Sequence, residues 1–377
     1  MKIGIVCYPT FGGSGVVATE LGIALANKGH EVHFITYSQP VRLDTFSERI
    51  FYHEVAVSNY PLFDFQPYEL VLSSKLVDVV KHEKLDLLHV HYAIPHASAA
   101  YMAKQILASQ GIQIPYITTL HGTDITLLGR DPSFEPVITF AINQSDAVTA
   151  VSESLKQDTY RHFSVKREIQ VIPNFINLDE YSERKCHCSR SLYAPYGEKI
   201  LIHVSNFRKV KRVEDVLRVF DRVRKKIPAK LILIGDGPER TAVEKLCREL
   251  DTCNDIRSLG KLTNPEQILP IADLFILPSE TESFGLAALE AMAAHLPVIS
   301  TNTGGLPEVN IQGETGFLSN VGDVEDMAKN ALHILGDEAT LCQFKNNAFA
   351  RAQKFDVPHI LPLYEKLYES LLKKELA

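Results

Sequence analysis

No stretch of this 377-residue chain approaches the roughly 18 consecutive apolar residues that a membrane-spanning helix needs, so the sequence offers no span. The opening "MKIGIVCYPTFGG" carries one lysine and an apolar run broken early by Pro9 and the glycines, too short for the core of a secretory signal, and a cytosolic protein is expected. Excess positive charge is missing as well. A formal net charge of -7 provides no basic field for nucleic acid, and no nucleic-acid partner is expected. Cysteine is sparse: Cys7, Cys186, Cys188, Cys247, Cys253 and Cys342 form no framework, and free thiols are expected. The pair in "KCHC" (Cys186, His187, Cys188) is half of a zinc site without a second half, so no metal is expected there. Repeats of solenoid period and low-complexity segments are also absent.

What is present is an ordinary globular composition, 45% apolar and 23% charged, in a chain longer than one core usually supports, which predicts two domains. Short β-branched runs alternate with longer amphipathic stretches, the pattern of βαβ units and a parallel sheet. In the first half "KIGIVC", "EVHFIT", "DLLHVH", "PYITTL" and "DAVTAVS" read as strands, and in the second "KILIHVS", "KLILIG", "DLFILP" and "PVIST" do. Each is apolar enough to be buried on both faces. The segment from "VIPN" to Lys199 is polar and broken by prolines, and marks the boundary. The expected domains are 1–172, 173–355, and a terminal helix, 356–377, packing back toward the first domain.

Four patterns carry chemistry. Gly12, Gly13, Ser14 and Gly15 follow the first strand and lead into a helix, where close backbone approach and free N–H donors suit a phosphate. Read as "GSGVVA", the loop also fits a dinucleotide fingerprint, but five residues separate it from the strand and no acidic residue ends the second strand to take a ribose. In "ETESFGLAALEAMAAHLPVISTNTGGLPEV", Glu282 sits before a helix and Glu290 about two turns on, with the amides of Ser283, Phe284, Gly285 and Leu286 between them for a diphosphate. Without a ligand, the two acids would merely complement a helix dipole and face solvent.

In "HVSNFRKVKRVEDV", Arg208, Lys211 and Arg212 crowd a helix start, where the dipole disfavours cations unless an anion is near. Fixed cations aimed at a leaving diphosphate replace a metal in lowering the barrier. Finally His89, His91, His96 and His121 lie near the carboxyl ends of first-domain strands, which points to His121, Tyr92 and Thr123 as site residues. His89 and His91 are expected on opposite faces of their strand, against a shared ion, with His89 in the core.

Together these residues resemble the retaining glycosyltransferases of GT-B fold: the glycine loop, His121, "VIPN", "GDGP" at Gly235 to Pro238, and Glu282 with Glu290. The resemblance implies an α/β fold of two Rossmann-like doubly wound domains whose parallel sheets face a central cleft, and no cofactor. It implies that the Gly15 amide contacts a diphosphate, that His121 faces the donor sugar, that Glu282 and the amides of Phe284 to Leu286 hold sugar and phosphate, and that Glu290 holds the ribose. Lys211 matches the family's phosphate lysine, whereas Asn206 stands where the family has arginine and Arg208 supplies the charge instead. His121, Arg208, Lys211 and Glu282 are then the catalytic set, with Ser14 and Asn206 completing the donor site.

A narrower resemblance of "CYPTFGGSGVVATELG", "HVHYAIPHA" and "SNFRKVKR" to the bacterial members that begin bacillithiol synthesis implies UDP-N-acetylglucosamine as donor and L-malate as acceptor. Ser14, Tyr92, Thr123 and Arg130 are the acceptor candidates, and only Arg130 can grip a carboxylate in bidentate fashion, with Arg42 and Lys75 next in line. A transferase with another small acceptor, a UDP-sugar epimerase, a nucleotide-sugar binding protein and a homo-oligomer stay open.

Overall fold

The computed structural model describes residues 1–10, 12–43, 47–57, 66–127, 129, 131–181 and 189–375. The chain divides into two compact units, Met1–Asn174 with Val357–Ala377, and Phe175–Asp356.

Unit 1 holds a seven-stranded, wholly parallel sheet of β1 (Lys2–Val6), β2 (Glu31–Thr36), β3 (Ile50–Glu54), β4 (Leu87–His91), β5 (Tyr116–Leu120), β6 (Ala147–Ala150) and β7 (Ile169–Val171), in the order β3-β2-β1-β4-β5-β6-β7. The central strands are buried along their length because helices cover both faces, which is why they read as unbroken apolar runs. The helices are α1 (Gly13–Asn27), α2 (Tyr68–Glu83), α3 (Ser98–Ala108), α4 (Glu135–Gln144) and α5 (Glu153–His162), joined from the far end of the chain by the last helix, Val357–Glu375. That last helix buries Tyr364 and Tyr368 completely, and Tyr368 Oη lies 2.7 Å from His89 Nδ1.

Unit 2 repeats the design with β8 (Lys199–Val204), β9 (Ala229–Ile234), β10 (Ile256–Gly260), β11 (Leu274–Leu277), β12 (Val298–Thr301) and β13 (Gly316–Ser319), in the order β10-β9-β8-β11-β12-β13. Its helices are α6 (Val213–Arg224), α7 (Arg240–Glu249), α8 (Leu286–Ala293), α9 (Leu306–Val309), α10 (Val324–Leu335) and α11 (Glu338–Ala352). The amphipathic α6 packs Val216, Leu217 and Phe220 into a core shared with Leu231, Ile276 and Met327. In both sheets the strand order reverses beside the first strand, between β1 and β4 and between β8 and β11, and ligands of such sheets bind outside the carboxyl ends there.

Three expectations are corrected. Four strands, β3, β7, β10 and β13, extend the two sheets beyond the nine read from the sequence. Cys247 and Cys253 are not free thiols but form a disulfide: the turn after α7 returns Thr252 N–H to Cys247 O at 3.0 Å and leaves the two Cα atoms 5.3 Å apart, within bridging range. Cys7 and Cys342 are free, and Cys186 and Cys188 lie outside the described residues. His89 and His91 share one side of β4, since residues two apart on a strand face the same way, and their rings stack at 4.5 Å.

Candidate active site

The reversal point of unit 1 is built by the loops after β1 and β4. Gly12 precedes α1 with no side-chain cap and no acid in the first turn, which suits the helix start to an anion, although the Gly15 N–H itself donates to Gly12 O at 3.0 Å. Gly15 is required by packing: a Cβ there would sit 2.5 Å from Tyr8 O and 2.6 Å from Thr10 O. Across the reversal, Tyr92 adopts φ 84 and is buried, its N–H held by Thr119 O at 2.9 Å. Its hydroxyl donates to Ser14 Oγ at 2.5 Å, so the two loops are tied by residues 78 apart. Burial raises the Tyr92 phenol to about 12, which keeps it a neutral donor.

Thr123 is exposed at the loop after β5. Arg130 lies outside the described residues. Of the cations next in line, Arg42 lies 3.7 Å from Glu20 and Lys75 lies 3.6 Å from Asp78.

Beneath these loops lies a nearly dry cluster of imidazoles. His91 Nδ1 and His121 Nε2 are 2.7 Å apart, and His89 spans from Tyr368 Oη to Thr119 Oγ1 at 2.7 Å each. His96 Nδ1 donates to His91 O at 2.5 Å. Desolvation pushes His89 and His121 down to about 3, His96 to about 4, and His91 well below its ordinary value, so all four are neutral. Asp124 fastens the loops around them, accepting from the N–H groups of Ala93 at 2.8 Å and Gly122 at 3.1 Å, while burial raises its carboxyl to about 6.

In unit 2 the reversal point is charged. Lys211 Nζ donates to Glu282 Oε1 at 2.5 Å, and Ser279 Oγ donates to the same oxygen at 2.8 Å. Both members of the ion pair are mostly shielded from solvent. The turn "TGG" supports Glu282 from below: Gly305 N–H donates to Glu282 O at 2.8 Å, and Gly304, at φ 57, passes so close that a Cβ would lie 1.9 Å from that oxygen. No side chain larger than hydrogen fits there. α8 begins at Leu286 behind Gly285, which has φ 94 and no side-chain cap, so Glu290 stands about one turn inside the helix rather than two. Phe284 and Gly285 are buried, and Leu286 and Glu290 half-buried.

The basic cluster divides. Lys211 meets Glu282, Arg212 Nε donates to Asp215 Oδ2 at 2.6 Å, and Arg208 is exposed with Asn206 after β8. Arg212 is thereby committed to its own helix and is not a cation reserved for a ligand. "GDGP" fixes this loop, with Phe207 N–H on Asp236 O at 3.1 Å and Glu239 N–H on Phe207 O at 2.9 Å. Under the pair, His203 bridges Ile276 O and Ser205 Oγ, and burial lowers it to about 4.

One further group with metal-ligand chemistry occurs among the described residues: His33, His53 and Glu83 in unit 1. His33 Nδ1 and His53 Nε2 are 2.9 Å apart, a hydrogen bond that accounts for their approach without an ion.

Both units thus present open helix starts, glycine turns and polar groups at the places where nucleotide-binding α/β sheets take ligands. Comparison with known proteins accords with this. The profile of "Glycosyltransferase Family 4" matches residues 11–180, and that of "Glycosyl transferases group 1" matches residues 189–351. A protein of Bacillus anthracis, N-acetyl-alpha-D-glucosaminyl L-malate synthase, is 46% identical over 381 aligned residues that cover 100% of this chain and 98% of that one. The chain belongs to this glycosyltransferase family.

Solved structures agree on the fold: sucrose-phosphate synthase of Thermosynechococcus elongatus has a TM-score of 0.80 at 22% identity, over 99% of this chain and 100% of that one. Anabaena HepE in complex with UDP and glucose reaches 0.82 at 20% identity, over 98% and 100%. The chain is therefore a glycosyltransferase of GT-B fold. No helix among the described residues is long and apolar enough to cross a membrane.

For this glycosyltransferase, sequence reading gave no role to His91, Asp124 and Ser279, which the structure sets against the candidate residues. His91 was legible in principle, because its i, i+2 spacing from His89 fixes a shared face. Ser279 reaches Glu282 within one loop, but the partnership of Lys211 and Glu282 spans 71 residues and has no local signal.

Proposed function

We propose that this glycosyltransferase moves N-acetylglucosamine from UDP-N-acetylglucosamine to the hydroxyl of L-malate with retention, as the first step of bacillithiol synthesis. The observation that carries this reading is the 46% identity, over the whole of this chain, to the synthase of Bacillus anthracis named for that product.

Unit 2 takes the nucleotide. Glu290 accepts from the ribose hydroxyls, and the open start of α8 with Phe284, Gly285 and Leu286 meets the diphosphate. Arg208 and Lys211 stabilise the charge that grows on it, with Asn206 alongside. A sugar hydroxyl takes the place of Lys211 on Glu282, which frees the lysine for phosphate at the moment the donor arrives. Unit 1 supplies the Ser14 hydroxyl and Gly15 amide to the diphosphate, His121 to the sugar, and Ser14, Tyr92, Thr123 and Arg130 to malate. No carboxylate serves as nucleophile, since both candidate acids are used on hydroxyls. The leaving diphosphate oxygen accepts the malate hydroxyl proton as the C–O bond forms on the same face.

An acceptor screen with UDP-N-acetylglucosamine, following UDP release and product mass, tests this. Rapid UDP release only with L-malate is expected, whereas equal rates with unrelated hydroxy acids defeat the acceptor assignment, and turnover of the donor without any acceptor favours an epimerase. Because fixed cations stand in for a divalent ion, excess chelator leaves the rate unchanged. Loss in chelator with recovery on added magnesium defeats that part.

A further inference from the structure

The two histidines nearest the unit 1 reversal point face each other nitrogen to nitrogen, His91 Nδ1 to His121 Nε2 at 2.7 Å, so one of them holds the shared proton. Which one follows from the far side of His91, whose Nε2 is buried and has no hydrogen-bond partner among the described residues. An N–H sealed there would be an orphaned donor, and orphaned donors are rarer in folded proteins than under-satisfied acceptors. A bare lone pair is the cheaper occupant. His96 shows the same arrangement, because its Nδ1 lies on a carbonyl and must carry the proton, leaving its own buried Nε2 bare and unpartnered.

With Nε2 bare, neutral His91 carries its proton on Nδ1 and donates to His121 Nε2. The proton of His121 is then confined to Nδ1. We propose that His91 is a positioning residue that fixes the tautomer of His121, so that His121 presents a neutral Nδ1–H donor to an oxygen of the substrate rather than serving as an acid or base. Desolvation of both rings supports the neutral state. The surroundings do so too: His91 is stacked on His89 at 4.5 Å and meets His121 edge to edge, the planes 24° apart and the ring centres 5.0 Å apart, and no carboxylate is hydrogen-bonded to either ring among the described residues. Asp124, the carboxylate between these loops, is occupied with the backbone N–H groups of Ala93 and Gly122. The proposal rests on His121 being a site residue, as in the function given above.

The test combines a spectroscopic readout with kinetics on the full chain labelled with nitrogen-15 histidine, in which His121→Phe identifies the His121 signals. His91→Asn places an amide N–H where Nδ1 was, His91→Asp can only accept when ionised, and His91→Leu does neither. Long-range proton–nitrogen correlation is expected to show a protonated Nδ1 and bare Nε2 on His121 in the parent and in His91→Asn. His91→Leu should give mixed tautomers and His91→Asp the reverse one, both with kcat reduced by roughly tenfold while UDP affinity holds. A parent His121 protonated on Nε2 overturns the proposal, as does a His91→Leu variant with unchanged tautomer and kcat. If His121→Phe keeps full activity, the site assignment of His121 falls instead, whichever tautomer the spectra report.

Discussion

The two units share one topology and differ in the chemistry they place at its reversal point. In unit 1 the loops after β1 and β4 meet through a neutral hydrogen bond, Tyr92 to Ser14, above four uncharged histidines. In unit 2 the loops after β8 and β11 meet through an ion pair, Lys211 to Glu282, held up by glycines that leave no room for a side chain. Strand order decides where a ligand can sit, and side chains decide what it can be. The ion pair of unit 2 offers a lysine to a charged diphosphate, as proposed above. Unit 1, with its protons fixed, suits the orientation of hydroxyl groups.

The largest expected difference between the units appears on acidification. A histidine whose folded pKa is depressed below 6.5 contributes stability that is fully present above that value and lost as pH falls, by about 1.4 kcal/mol per unit for each group. Unit 1 has four such buried imidazoles in one cluster, whereas among the described residues of unit 2 only His203 is shifted in this way. Asp124 works in the opposite direction: raised to about 6, it contributes stability below about pH 4 that fades as pH rises through 6, and so offsets part of the loss. Unit 1 should therefore lose amide protection first between pH 6.5 and 4.5, read by hydrogen exchange. Simultaneous loss in both units would show that the cluster does not set this difference.

Removing the cation of unit 2 comes next. Lys211→Met should lower kcat by about 10² to 10³, the range for loss of one fixed donor from a developing anion. A kcat within about threefold of the parent would strip Lys211 of its electrostatic role and leave Arg208 to carry it. Within the same unit, Glu290→Ala should weaken UDP and UDP-sugar alike by about 1.5–3 kcal/mol, the cost of a charged hydrogen bond, whereas Glu282→Ala should act on the sugar. Calorimetry that finds UDP affinity intact in Glu290→Ala removes the ribose assignment.

How much of this was legible from sequence depended on burial. The nine central strands announce themselves because both faces are covered, while β3 and β10 are half exposed, β7 has three residues and β13 is only half-buried at its centre, so their sequences carry no continuous apolar signal. The glycine turns and the helix start around Glu282 and Glu290 were legible from the sequence. The pairing of Lys211 with Glu282 was not, because contact across a sheet reversal has no period in the sequence. The Cys247–Cys253 bridge depends likewise on a local chain return that cysteine spacing alone does not specify.

The smallest expected effect tests the neutral half of the comparison. Tyr92→Phe keeps the ring against Tyr8 at 5.3 Å and against His121 at 5.2 Å, and phenylalanine tolerates φ 84 no worse than tyrosine, so the backbone need not move. Only one O–H is lost, and with it the tie to Ser14. A neutral hydrogen bond contributes about 0.5–1.5 kcal/mol, so the malate KM should rise by no more than roughly tenfold. Ser14 keeps its place at the start of α1, because Gly15 still packs on Tyr8 O and Thr10 O, and UDP affinity should therefore hold. If calorimetry instead finds UDP binding weakened while the malate KM is unchanged, the Tyr92 to Ser14 bond serves the diphosphate. The reversal point of unit 1 would then serve the anion more than the acceptor.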